Sequence, residues 1–256
     1  MLSPKLDGLT GVFYYRNGKL IQAITRGNGQ EGKDITDKAL IIEDLEIVDK
    51  NFTGAVRGEL EISKTNWNKI KDRYPEAKNA RNLCAGWINS KEYDIDNIKL
   101  IDFITYKVVG QERPEDMKNI FYELVGDDTF PHTICYNSDP LKSDVIQWLS
   151  HNFKHSIPSI VATLNSTNFM DMMNDVFKCL TDPNSNGYMD YELDGLVISA
   201  KDVIYHKSDY SYIYDECAFK FAAESVEVKV TGITWNITRT QRLVPVVQFE
   251  PVFLSG

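Results

Sequence analysis

Gly11-Val12-Phe13-Tyr14-Tyr15-Arg16-Asn17-Gly18-Lys19-Leu20-Ile21-Gln22-Ala23-Ile24-Thr25-Arg26 reads as two strands joined at Asn17-Gly18. Aromatic and β-branched residues crowd both arms, and Asn-Gly accepts the positive φ angles of a tight two-residue turn. A glycine-rich loop, Gly27 to Gly32, comes after the second arm. Downstream, Ala55-Val56-Arg57-Gly58-Glu59-Leu60-Glu61-Ile62 alternates in the strand manner, and Ser63 or Thr65 is placed to cap a helix reaching about Tyr74. Lys99 to Val109 is β-rich enough to predict a central strand. Helical spacing marks Pro114–Leu124, Leu141–Phe153 and Thr167–Leu180, with Pro114 suited to a first turn. Strands return at Gly195–Ser199 and Ala218–Phe221, and the tail from Val226 to Phe253 reads as all-β with turns near Asn236 and Pro245. The expected class is α+β, with antiparallel sheets flanked by helices and a short β tail.

Composition narrows the setting. At 43% hydrophobic and 25% charged, the 256 residues are those of an ordinary globular protein. No apolar run approaches the ~20 residues of a membrane-spanning helix, and the first five residues have no signal-peptide character. Cys84, Cys135, Cys179 and Cys217 form no CxxC pair, which argues against a zinc site or a disulfide framework and for a reducing compartment. His132, His151, His155 and His206 lack metal-ligand spacing. The net charge of −9 is unevenly spread: residues 1–110 and 220–256 each carry +1, whereas 111–219 carry −11. A nucleic-acid surface outside the acidic block therefore stays open.

Lys5-Leu6-Asp7-Gly8 is the first string with chemical content. A lysine amine becomes nucleophilic only once deprotonated, through desolvation or neighbouring charge. In an extended segment, an acid two residues on lies on the same side of the chain. Alone, the string also fits a surface turn. The order of the later motifs is more specific: Thr25-Arg26-Gly27-Asn28-Gly29-Gln30-Glu31-Gly32-Lys33-Asp34-Ile35-Thr36, Val56-Arg57-Gly58-Glu59-Leu60, Asn79-Ala80-Arg81-Asn82-Leu83-Cys84-Ala85-Gly86, Asp194-Gly195-Leu196-Val197-Ile198 and Ala218-Phe219-Lys220-Phe221.

This series resembles the covalent nucleotidyltransferases, and most closely the NAD-dependent DNA ligases. Trp235 to Val246 and Phe249-Glu250-Pro251-Val252 point to the same branch. The resemblance implies an ATP-grasp-like adenylation domain over 1–224 and the first strands of an OB-fold over 225–256. It implies that Lys5 attacks the α-phosphate of NAD, releases nicotinamide mononucleotide and carries AMP to the 5′-phosphate of a nick in double-stranded DNA. Asp7 would join Lys5 as a catalytic residue. Leu6, Arg26, Glu59, Tyr106, Val197 and Lys220 would contact the nucleotide, with Glu59 on ribose hydroxyls, Tyr106 on adenine, Val197 as an apolar wall and Lys220 on the α-phosphate. Glu59 and Asp194 would be the carboxylates for Mg²⁺. Plainer roles exist beside these: Arg26 could close a hairpin with Glu31 or Asp34, Glu59 could be a half-exposed strand acid, and Tyr106 could be a core aromatic. An ATP-using relative and a non-catalytic scaffold are the rival readings.

The chain also departs from the family pattern. Ser3 stands where a glutamate is usual, Ser199 where a lysine is usual, Asn89 where an arginine is expected and Asn28 where the loop has aspartate. Lys201 shares a strand face with position 199 and is a candidate substitute. Missing phosphate-facing cations predict weaker or partner-dependent activity. Four residues precede Lys5, so the small domain that grips nicotinamide mononucleotide and the rest of the OB-fold are expected in another chain or in a longer parent. The expected location is the cytoplasm, in a bacterial, phage or viral setting, with no membrane contact.

Overall fold

The computed structural model describes residues 1–27, 31–42, 45, 47, 49–50, 52–109, 142–158, 160, 167–199, 216–221, 226–238 and 241–252. Asn28, the expected helix at 114–124, Lys201 and the boundary at 224/225 lie outside the described residues. Two compact units are present, Met1–Phe219 and Lys220–Gly256.

In the first unit, β2 (Leu9–Arg16) and β3 (Lys19–Thr25) form the hairpin, with φ of 49° at Asn17 and 72° at Gly18 as the turn requires. β2 pairs antiparallel with β4 (Gly54–Ile62), and β4 with β5 (Ile101–Val109), so the sheet order is β3-β2-β4-β5. β5 is thus a border strand of its sheet, not the central strand its composition predicts. A neighbouring loop satisfies part of its outer backbone: Thr105 N donates to His155 O and Ile157 N donates to Thr105 O, each at 3.0 Å. A half-covered edge of this kind demands the same apolar content as an interior strand.

One face of the four-stranded sheet carries the main core. Phe13, Tyr15, Val56, Leu60, Ile62 and Phe103 pack there against α3 (Ala80–Asn89) and α5 (Lys142–Asn152) through Leu83, Ile88, Val145 and Leu149. Phe13 and Phe103 stack with ring centroids 3.8 Å apart. Burial of this many apolar side chains, each contributing about 1.5–3 kcal/mol, is the main favourable term in the fold. Between β4 and α3 come α2 (Lys64–Ile70), capped by Ser63 Oγ accepting from Asn66 N at 3.2 Å, and a 3₁₀ turn at Lys71–Arg73. The remaining short helices are α1 (Thr36–Ala39) and α4 (Ile95–Ile98). A second antiparallel sheet, β1-β6-β7, joins β1 (Leu2–Leu6), β6 (Leu193–Ser199) and β7 (Glu216–Phe219). α6 (Phe169–Thr181) precedes β6.

In the second unit, β8 (Val230–Ile237) and β9 (Leu243–Phe249) form an antiparallel pair. The expected turn at Pro245 is not there: Pro245 lies within β9, opposite Trp235, and beyond the paired Ile237 and Leu243, Thr238 N donates to Arg242 O at 2.9 Å. A proline is tolerated where the strand's N–H side is unpaired, as it is in a two-stranded ribbon. Ile233, Trp235 and Ile237 pair with Val247, Pro245 and Leu243, so one face is apolar throughout. Trp235 is 61% exposed and Ile237 74%. No helix of the described residues is long and apolar enough to cross a membrane.

Candidate active site

Lys5 sits near the end of β1, opposite Gly195 of β6, just before a register shift between Lys5 and Leu6. Its ammonium is ion-paired with Asp194, the residue before Gly195, and both side chains keep about a quarter of their surface exposed. β1 alternation places Leu6 in the interior, buried, and turns Lys5 and Asp7 away from it. Val197, half-buried, shares its face of the β1–β6 pair with Lys5, as the register Ser3↔Val197 and Lys5↔Gly195 dictates.

Asp7 is ion-paired with Arg81, at the start of α3. The Asn79-Ala80-Arg81-Asn82 string explains the placement: the Asn79 side chain accepts from Asn82 N at 2.8 Å and starts the helix, and Arg81 in its first turn reaches back to Asp7. The string by itself gives Arg81 no role. Seventy-four residues separate the partners, and only the tertiary fold closes that distance.

Glu59 lies on β4 directly opposite Thr10 of β2. Its Oε1 accepts from Thr10 Oγ1 at 2.8 Å and from Tyr106 OH at 3.2 Å. Burial raises the Glu59 carboxyl pKa, while these two hydrogen bonds and the nearby charges of Arg81 and Lys5 pull it back down. Lys5, Asp7, Arg81, Glu59, Tyr106 and Asp194 therefore form one constellation. The Tyr106 hydroxyl is held above its ordinary range by burial and by Glu59. Tyr106 is half-buried with its hydroxyl engaged, so it is neither a plain core ring nor a fully open stacking surface.

Glu61 is a residue that no motif singles out. It comes two after Glu59 on the same face and is only 3% exposed. Burial, with Glu59, Asp7 and Glu192 around it, pushes its carboxyl up to about 9, and its Oε1 has no hydrogen-bond partner. Gly8 makes this crowding sterically allowed: a Cβ there would stand 2.5 Å from Glu61 Cγ and 2.8 Å from Leu60 O. The glycine of Lys-Leu-Asp-Gly is required by space.

Arg26 comes directly after β3, its N donating to Thr10 O at 3.0 Å and its side chain exposed. The neighbouring loop explains its glycines. Gly27 has φ of 55°, and a Cβ there would fall 1.7 Å from Glu31 O. Asp34, just beyond the loop, acts locally: it accepts from Thr36 N at 2.8 Å and from Gln22 Nε2 at 3.3 Å. Asp34 thus has partners other than Arg26. Lys220 is the first residue of the second unit and is exposed. Ser3 and Ser199 are buried, at 3% and 5%. Among the described residues no three His, Cys, Asp or Glu side chains gather to hold a metal ion. A Mg²⁺ held by one or two carboxylates and substrate phosphates needs no such cage.

Residues 1–126 match the family model of the NAD-dependent DNA ligase adenylation domain. The DNA ligase of Ruminiclostridium cellulolyticum is 27% identical across 100% of this chain and 36% of its own length. That of Lachnoclostridium phytofermentans is 28% identical, again over 100% of this chain and 36% of its own, and that of Ureaplasma parvum 28% over 100% and 35%. The chain spans about a third of the length of these relatives. Residues 1–126 are thus similar to the NAD-dependent DNA ligase adenylation domain, and the chain is similar to bacterial DNA ligases from end to end.

Proposed function

We propose that this chain is the adenylation core of an NAD-dependent DNA ligase, with an ATP-grasp-like first unit and an OB-fold beginning in the second. The observation that carries the reading is the Lys5–Asp194 ion pair set beside Asp7–Arg81 and the Glu59–Tyr106 pair. Asp194 holds the Lys5 proton and accepts it as the amine attacks. The Lys5 Nζ–phosphorus bond forms, the bond from phosphorus to the bridging oxygen breaks, and nicotinamide mononucleotide leaves with that oxygen. Arg81 supplies positive charge on the Asp7 side, where charge develops on the phosphoryl oxygens. Glu59 accepts from ribose hydroxyls, Tyr106 and Val197 border the base, and Arg26 and Lys220 contact phosphates. Bound Mg²⁺ would offset phosphate charge, with Glu59 and Asp194 as its protein ligands. The AMP then passes to the 5′-phosphate of a DNA nick, and the adjacent 3′-hydroxyl displaces it.

Incubation with NAD is expected to add the mass of AMP to the chain at Lys5, and ATP is not. Labelling that persists in Lys5→Ala would overturn the nucleophile assignment. We further infer that a separate domain gripping nicotinamide mononucleotide is needed for efficient reaction with NAD, and that other strands complete the barrel begun by β8 and β9. The apolar face of Ile233, Trp235, Ile237, Leu243, Pro245 and Val247 supports the second point. Equal NAD labelling with and without the added domain would refute the first. A non-catalytic scaffold is the second reading, favoured by the short, buried Ser3 and Ser199 where the family pattern has longer charged side chains. No AMP adduct with every partner domain present would support it.

A further inference from the structure

We propose that Thr10 is a positioning residue that orients the Glu59 carboxylate for a bound adenylate's ribose, an assignment that rests on the adenylation reading. The antiparallel pairing of β2 and β4 sets Thr10 directly opposite Glu59, on the same face of the sheet. A β-branched side chain on a strand has few χ1 choices, so the hydroxyl is aimed by the backbone. It donates to Glu59 Oε1 at 2.8 Å, and Tyr106 OH donates to the same oxygen at 3.2 Å. With both donors on Oε1, the carboxylate plane is fixed from two sides. Oε2, which carries neither of these bonds, is then the oxygen left to accept from a ligand's hydroxyl groups. A glutamate without such donors would rotate about its terminal torsion, which is broad and weakly preferring. Part of the ligand's binding free energy would then be lost to ordering it.

Thr10 also links Glu59 to the loop carrying Arg26, because Thr10 O accepts from Arg26 N at 3.0 Å. One residue thus fixes a carboxylate through its side chain and the entry of the glycine loop through its backbone. Replacing the side chain leaves the second link in place, and this isolates the hydroxyl in a test.

The test compares Thr10→Val, which keeps the branched shape without the hydroxyl, with Thr10→Ser, which keeps the hydroxyl. Titration with AMP is expected to show affinity about tenfold weaker for Thr10→Val and within about threefold of wild type for Thr10→Ser. In parallel, infrared difference spectra of the ligand-free chain identify the Glu59 carboxylate band by its loss in Glu59→Gln. That band is expected to shift in Thr10→Val and to return in Thr10→Ser. An unshifted band, or equal weakening by both Thr10 variants, overturns the proposal. Failure of the wild-type chain to bind AMP overturns the adenylation reading instead, and the infrared band still decides whether Thr10 holds Glu59.

Discussion

Two lysines of the first unit have opposite surroundings. Lys5 keeps 28% of its side chain exposed and is paired with one carboxylate, Asp194. Lys38, on the short helix α1, is 5% exposed. Its ammonium donates to three main-chain carbonyls at the end of α3, Trp87 O at 2.8 Å, Ile88 O at 2.6 Å and Ser90 O at 2.5 Å. Burial and the nearby Lys33 charge lower its pKa. By burial alone Lys38 would look like the better nucleophile. Its geometry says otherwise, because all three N–H bonds are spent on carbonyls that a helix C-terminus leaves unsatisfied. A cation at that end also meets the negative pole of the helix. Lys5 has an acidic partner that can take its proton, and open surface through which a substrate can arrive.

The largest expected effect separates the two directly. Lys5→Ala is expected to abolish the AMP adduct formed with NAD, whereas Lys38→Met leaves the adduct on Lys5. Peptide mapping of the labelled chain checks both, and an adduct found at Lys38 would invert the comparison. Next in size is stability. Lys38→Met removes a buried cation from three carbonyls and is expected to cost about 3 kcal/mol, read by urea unfolding. A loss below about 1 kcal/mol would mean that water replaces the ammonium there.

How much of the fold and the site is legible in the sequence depends on whether a residue's partner lies close along the chain. The Asn17-Gly18 turn, the Ser63 cap and the alternation of β4 are local, and the structure has each of them as expected. The motif order brings Lys5, Asp7, Glu59, Tyr106 and Asp194 into one reading, and these residues do come together. Arg81 and Thr10 gain roles only from contacts across 74 and 49 residues, which spacing does not encode. Glu61 has the pattern of an exposed acid on an alternating strand, and what buries it is the close approach of Gly8 and Glu192. Composition misplaces β5 because an edge strand that borrows hydrogen bonds from a loop is as apolar as an interior one. It misplaces Pro245 because a two-stranded ribbon leaves room for proline that a wider sheet does not.

Acids can be compared in the same way as the lysines. Glu59 has two donors on one oxygen, whereas Glu61 accepts a backbone hydrogen bond from Glu192 and has an unpartnered Oε1. The Glu61 carboxyl rises from its ordinary 4.5 to about 9 in the folded chain. Between those values the folded state keeps a proton that the unfolded state has lost. Stability therefore falls as pH rises through this window and levels off above it. Glu61→Gln removes the proton uptake and keeps the shape. Its melting temperature is expected to match wild type near pH 5 and to exceed it by several degrees near pH 9. Parallel melting curves across that range would show that Glu61 is ionised in the folded chain.

The smallest effect belongs to the Asp7–Arg81 pair. Arg81 is half-exposed, so water screens its pairing with Asp7 and its loss leaves folding nearly unchanged. On the adenylation reading, its charge acts mainly when phosphate arrives. Arg81→Ala is expected to slow adduct formation with NAD about tenfold, and Arg81→Lys to recover only part of the rate, since an ammonium cannot reproduce a planar fork of donors. Adduct formation at saturating NAD distinguishes this from simple weakening of binding. If saturation restored the full rate, Arg81 would be a binding contact only. The Asp7 side of the site would then contribute nothing to transfer, and the chemistry would rest on the Lys5–Asp194 pair alone.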